Sequence, residues 1–117
     1  MTLVTLVAGG DAAAREKAIA ERLSILLQAG VLPAVILEGG DAPHHFPSGI
    51  QVTRLAPACP CCVGSLTMRV TLNRILRHSP AHIFIGIMQP AHIEALREAL
   101  QQSPYDQHLT LTDNLII

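Results

Sequence analysis

Residues 2–11, Thr-Leu-Val-Thr-Leu-Val-Ala-Gly-Gly-Asp, decide the fold of this chain. The first seven are apolar or β-branched without interruption, which is typical of a strand covered on both faces of a sheet. Two glycines then permit a tight turn, and Asp11 is a suitable N-cap for a helix. The order of strand, glycine turn and helix predicts the opening unit of a parallel α/β sheet.

A helix is predicted over residues 12–28, because apolar side chains recur there at helical spacing opposite charged ones. The apolar set is Ile19, Leu23, Leu26 and Leu27, and the charged set is Arg15, Glu16, Lys17, Glu21 and Arg22. Ala29 and Gly30 are expected to end this helix.

The same alternation continues to the end of the chain. The pattern predicts strands at 33–37, 50–55, 81–88 and 108–112, and helices at 66–78 and from Pro90 to about residue 101. Parallel strands need a connection of roughly a dozen residues, which is usually helical. The sequence therefore predicts one domain over residues 1–117, a three-layer α/β sandwich with a mostly parallel sheet, whose ligands gather at the carboxyl ends of the strands.

Composition excludes several classes of function. Half of the 117 residues are apolar and 3% are aromatic, so the core is aliphatic and base-stacking side chains are few. A formal charge of -1 gives no basic field for nucleic acid. The first apolar run lacks a basic start and ends at Gly9, unlike a signal peptide, and no run approaches the roughly 18 apolar residues of a membrane span. A cytoplasmic protein is expected, with reduced cysteines.

All three cysteines lie in residues 58–63, Ala-Cys-Pro-Cys-Cys-Val. Thiolates favour zinc or copper(I), and a tetrahedral zinc bound by Cys59, Cys61 and Cys62 needs one further donor. Zinc is the expected metal, and the candidate fourth donors are Glu38, His44 and His45. A disulfide is the weaker interpretation, since adjacent cysteines could close only a strained ring and an odd count leaves one thiol over.

Other interpretations of these residues stay open. The cysteines could be three inert buried thiols, or they could act in thiol redox chemistry, because Cys61 and Cys62 lie close to a helix N-terminus that favours thiolate. His44 and His45 are most simply a solvated loop pair. The remaining histidines, which show no metal-ligand spacing and are interpreted as surface or satisfied side chains, are His78, His82, His92 and His108. The basic helix face formed by Arg69, Arg74 and Arg77 is either solvated or meets an acidic partner.

The order of these parts resembles the amino-terminal half of the CobW-type metallochaperone GTPases, over nearly the whole chain. The resemblance rests on the glycine turn after the first strand, on Glu38 closing the second, and on Cys59-Pro60-Cys61-Cys62 opening a basic and leucine-rich helix. It implies a domain similar to P-loop GTPases, with Gly9 and Gly10 as a vestigial phosphate loop, a transition metal at the cysteines and a protein client.

The chain departs from that family in the residues that handle phosphate. A working loop reads Gly-x-x-x-x-Gly-Lys-[Ser/Thr], whose lysine and hydroxyl hold the phosphates and magnesium. Here residues 9–16 read Gly-Gly-Asp-Ala-Ala-Ala-Arg-Glu, and residues 86–92 lack the family's carboxylate. We therefore expect a pseudo-GTPase without hydrolytic activity and with nucleotide unlikely. The alternatives are a residual GTP-binding or GTPase component that needs a partner chain, and a small self-associating interaction domain.

Overall fold

The computed structural model of the chain describes residues 1–39, 46, 47, 49–55 and 66–117. Within these ranges one sheet of six strands carries helices on both faces, as the sequence predicts. The strands are β1 (Thr2–Ala8), β2 (Pro33–Glu38), β3 (Gln51–Leu55), β4 (His82–Gly86), β5 (Leu109–Leu111) and β6 (Leu115–Ile116). The helices are α1 (Ala12–Gln28), α2 (Leu66–Leu76) and α3 (Ile93–Leu100), with short 3-10 helices at Pro90–His92 and Tyr105–Gln107.

The strand order is β3-β2-β4-β1-β5, and β6 also pairs with β1. The strand pairs are parallel, so their carboxyl ends meet at one edge of the sheet. The register aligns Val7 and Leu37 with Gly86, and Glu38 with Leu55. The glycine turn after β1, the glutamate that ends β2 and the point where the chain leaves β3 toward the cysteines therefore share this edge.

Alternation along the central strands divides the core between two layers. Val7, Val35 and Phe84 pack under α1 with its Ile19 and Leu23. The opposite face of the same strands packs against α2 and α3. The buried side chains of that second layer include Leu6, Ile36 and Ile85 from the sheet, Met68, Leu72 and Ile75 from α2, and Ile93, Leu96 and Leu100 from α3. The three-layer α/β prediction is confirmed.

Most predicted boundaries agree with the structure to within one or two residues, and those of β1 and α1 agree at both ends. The third helix differs more, because Pro90 opens a 3-10 turn and α3 begins at Ile93. The two-residue strand β6 was not predicted. It forms because Leu115 and Ile116 run beside Val7 and Ala8, a pairing that no local pattern contains.

Candidate functional site at the carboxyl edge of the sheet

The glycine turn after β1 is tightly packed. Gly9 and Gly10 have φ of +89° and +55°, in the left-handed region that favours glycine. A Cβ atom on Gly9 would lie 2.7 Å from the carbonyl oxygen of Ile117, whose own amide donates to the Ala8 carbonyl oxygen at 2.8 Å. The turn is thus covered by the backbone that follows β6.

Asp11 is the N-cap of α1, as predicted. Its Oδ1 accepts a hydrogen bond from the Ala14 amide at 2.8 Å. In a nucleotide-binding protein the first amides of this helix bind phosphate, helped by the helix dipole. Here a carboxylate is already bound to one of those amides, and its charge repels a phosphate from the others.

Arg15 does not lie on a solvent-facing side of α1; this part of the helix prediction is wrong. It is buried, and its Nη1 donates to the carbonyl oxygens of Gly9 at 3.1 Å and Gly10 at 2.9 Å. Its burial is possible because those carbonyls satisfy its charge. Its cation is therefore directed at the glycine turn itself. We call Gly9, Gly10, Asp11 and Arg15 the closed corner.

Glu16 of α1 is also buried, so its prediction as a solvent-facing charge is wrong. Its carboxylate forms an ion pair with Arg54 of the sheet strand β3. Arg54 Nη2 donates to Glu16 Oε1 at 2.8 Å, and Nη1 lies 3.4 Å from Oε2. The Glu16 side chain is 3% exposed and that of Arg54 36%. A buried, paired carboxylate therefore lies in the second turn of α1, next to Arg15.

Among the described residues, the cleft beside the closed corner is small. A cleft of about 10 Å³ lies between the start of α1 and the ends of β2 and β4. That volume holds about one water molecule. At the end of β4, a Cβ on Gly86 would lie 3.1 Å from Leu37 Cδ2 and 3.7 Å from Ile19 Cδ1, so an acidic side chain there would be buried among apolar atoms.

Glu38 lies at the end of β2, where the sequence suggested a metal donor. Its Oε1 accepts a hydrogen bond from the Met88 amide at 2.9 Å, which ties β2 to the segment after β4. Within the described residues, its second oxygen has no hydrogen-bond partner. The neighbouring Gly39 amide donates to the Leu55 carbonyl oxygen at 2.8 Å. Glu38 therefore lies beside the last described residue before the cysteine segment.

The remaining predicted ligands, Cys59, Cys61, Cys62, His44 and His45, lie outside the described residues. Among the residues that are described, no group of three or more histidine, cysteine or acidic side chains could hold a metal ion. What the fold fixes is the two ends of the cysteine segment: it leaves β3 at Leu55, opposite Glu38, and re-enters the described chain at α2.

His92 is a residue whose role the sequence analysis missed. It was interpreted as a surface or satisfied histidine, but it is 8% exposed, and its Nδ1 is buried with no hydrogen-bond partner among the described residues. It is the last residue of the 3-10 helix and the N-cap of α3, four residues before the buried Leu96. That spacing was the available signal. A buried imidazole nitrogen without a partner is a candidate donor to a ligand.

His82 fits its interpretation as a satisfied histidine. Its Nε2 lies 2.7 Å from Thr5 Oγ1, and its ring stacks on Phe84 with centroids 4.4 Å apart. Thr5 in turn bonds to the hydroxyl of Thr112. Burial lowers the pKa of His82 below its usual 6.5, because the charged imidazolium loses hydration there.

No helix in the described ranges combines the length and apolar character needed to cross a membrane. Comparison of the chain with models of protein families, with curated proteins and with solved structures gave no match.

Proposed function

We propose that this chain is a CobW-like domain that does not hydrolyse nucleotide and that binds zinc through Cys59, Cys61 and Cys62. The fourth donor comes from Glu38, His44 or His45, and His92 is a further candidate. The domain acts in the cytosol, where its thiols stay reduced, and hands metal to or senses it for a protein client. The observation that supports this proposal best is the closed corner, where Asp11 and Arg15 already bind the groups that would otherwise meet a phosphate.

The argument against hydrolysis is one of charge and space. Phosphoryl transfer needs amides, a cation and magnesium arranged around the phosphates. In this chain Asp11 binds a helix amide, Arg15 donates to Gly9 and Gly10, and the adjacent cleft has room for about one water molecule. A phosphate group at the start of α1 would have to displace Asp11 from the Ala14 amide before it could bind there.

The argument for zinc is the chemistry of the donors. Three cysteines within four positions supply the soft ligands that zinc prefers, and zinc supplies a fixed tetrahedral centre when bound. Glu38 has one oxygen bonded to Met88, which orients the carboxylate, and a second oxygen that can accept a ligand. The buried Nδ1 of His92 is a nitrogen donor of the kind zinc also accepts.

Metal analysis tests the zinc half of the proposal. The reduced protein, purified without chelator, is expected to carry zinc at close to one equivalent, by the chemistry of a single four-ligand site. A Cys61→Ser/Cys62→Ser variant should lose the metal and keep its far-ultraviolet circular dichroism. Single Glu38→Gln, His44→Gln, His45→Gln and His92→Gln variants identify the fourth donor as the one that weakens zinc binding. Reduced wild-type protein without zinc contradicts the proposal.

Nucleotide binding is tested separately. Millimolar GTP or ATP with magnesium should leave the melting temperature unchanged, because a ligand that does not bind the folded state cannot stabilise it. The variant Arg15→Lys/Glu16→Ser introduces a lysine and a hydroxyl, the side chains that the family pattern uses, yet it should also fail to bind, since Asp11 still accepts a hydrogen bond from the Ala14 amide. A nucleotide-dependent rise in the wild type would favour the alternative, a component that retains GTP binding.

A further inference from the structure

A groove runs along α2 on the face of the molecule away from α1. Its first part, about 360 Å³, lies between α2 and the end of α3, and its second, about 300 Å³, continues past the 3-10 helix at Tyr105–Gln107. Asn73, Pro104 and Tyr105 line both parts, so the two form one continuous groove. Its combined size is in the range of binding sites for ligands and short peptide segments.

The floor of the groove is apolar and its rim is polar. Leu72, Leu100 and Tyr105 form the floor and are nearly inaccessible to solvent. Asn73 and Gln102 are exposed along the rim, where an amide can bond to the backbone of an extended peptide. An extended peptide could therefore place an apolar side chain on the floor while its backbone forms hydrogen bonds with the amide groups of the rim.

The charge of the groove has one sign. Arg69 and Arg77 line its α2 wall, and none of the residues that line either part is acidic. Both arginines are exposed, and the described part of the chain places no carboxylate within ion-pair distance of them. Helix α2 and Arg77 together carry three arginines and no acidic residue, whereas α1 and α3 mix both signs and the whole chain is at -1. Helix α2 with Arg77 is therefore locally basic, and two of its three arginines line the groove.

We propose that the groove binds an extended, acidic peptide segment of a partner protein. The Arg77 amide donates to the Asn73 carbonyl oxygen at 3.2 Å, so the helical path continues through Arg77. Eight residues of helix place Arg69 and Arg77 about 12 Å apart along the axis. An extended chain rises about 3.3 Å per residue, so carboxylates three or four positions apart match the two arginines. An apolar residue between them lies over Leu72 and Tyr105.

A peptide fits this groove better than nucleic acid does. The aromatic rings among its lining residues are Tyr105, which is 8% exposed and offers no open face for a base, and the exposed imidazole of His108, which is a single ring and not the series on which successive bases stack. Two arginines in a chain of net charge -1 also release few counterions from a phosphate backbone. The inference does not depend on zinc binding, so either proposal can fail without the other.

Selection from a random displayed peptide library, with peptides roughly ten residues long so that they span the groove, tests the proposal. The wild-type protein should enrich sequences with Asp or Glu three or four positions apart around an apolar residue. A fluorescein-labelled copy of the strongest such peptide then gives the affinity by fluorescence anisotropy. The Arg69→Glu/Arg77→Glu variant should weaken binding about tenfold or more, because two favourable charge pairs become repulsive.

Arg74→Glu is the matched control, since Arg74 is exposed on the same helix but does not line the groove. It should change affinity by less than about twofold. Circular dichroism checks that all variants fold. Enrichment of basic or uncharged peptides, failure to enrich any sequence, or equal losses in the groove and control variants would overturn the proposal. A higher affinity for a uridine oligonucleotide than for the peptide would also overturn it. So would self-association in sedimentation experiments that the Arg69→Glu/Arg77→Glu variant abolishes, because the groove would then bind a second copy of the chain.

Discussion

The ion pair between Glu16 and Arg54 should respond very differently to the loss of each partner. Glu16 has a side chain 3% exposed, while that of Arg54 is 36% exposed. Arg54→Met leaves the carboxylate buried without its cation, which costs about 3 kcal/mol of unfolding free energy. Glu16→Met leaves an arginine that can turn toward water, so its cost is about 1 kcal/mol. In the double variant neither charge of this pair remains, and stability should return to within about 1 kcal/mol of the wild type.

Urea unfolding of the four proteins, followed by far-ultraviolet circular dichroism at low salt, measures these differences directly. The expected signature is a double variant that is more stable than Arg54→Met alone, with a coupling free energy of about 3 kcal/mol between the two sites. Two results would refute this reasoning about Glu16. Arg54→Met could cost no more unfolding free energy than Glu16→Met, or the second substitution could fail to restore the stability that the first removes. Either result would mean that burial of the Glu16 carboxylate does not set the free energy of the ion pair.

Three further perturbations have outcomes set by the structure. Burial lowers the pKa of His82, so near pH 6.5 this histidine binds a proton in the unfolded chain but stays neutral in the folded chain. The unfolding free energy should therefore fall as the pH drops below about 6.5. His82→Gln should make the unfolding free energy from urea titrations depend less on pH. His92→Phe should keep or raise stability by up to about 1 kcal/mol, since the buried Nδ1 has no partner to lose; a clear loss in thermal melts would reveal an unseen contact. Gly9→Ala should cost at least about 2 kcal/mol, from positive φ and the 2.7 Å approach of Ile117, whereas Gly30→Ala, with positive φ but nothing within 4 Å, should cost about 1 kcal/mol; equal costs in chemical denaturation would argue against that contact.

The elements could be predicted from the sequence because their signals are local. The apolar run at 2–8, the Asp11 cap and the spacing of Leu72 and Ile75 need no knowledge of distant residues. Alternating strands and helices of this length leave few topologies other than a parallel sheet. The three-layer arrangement follows because the helices that connect parallel strands pack on both faces of the sheet.

The burial of Arg15 and Glu16 could not be predicted because the helical pattern does not contain the groups that bind them. Arg15 and Glu16 read as part of a charged, solvent-facing side of α1, and only the fold reveals the carbonyls and the arginine that bury them. Glu16 and Arg54 are 38 residues apart in sequence. His92 was missed for a related reason, since helix α3 buries the position whether or not its imidazole finds a partner.

The same contacts bear on how the proposed zinc site would behave. A nucleotide switch needs the segments after its strands to move when phosphate binds or leaves. In this chain those segments are tied to one another: Arg15 to Gly9 and Gly10, Glu38 to Met88, and Glu16 to Arg54. The chain leaves this part of the sheet at Leu55, opposite Glu38, before it reaches the cysteines. We expect these contacts to hold that part of the sheet in one arrangement. On the proposed function, zinc affinity should therefore be the same with and without GTP and magnesium, because no nucleotide-dependent state exists to change the ligand positions.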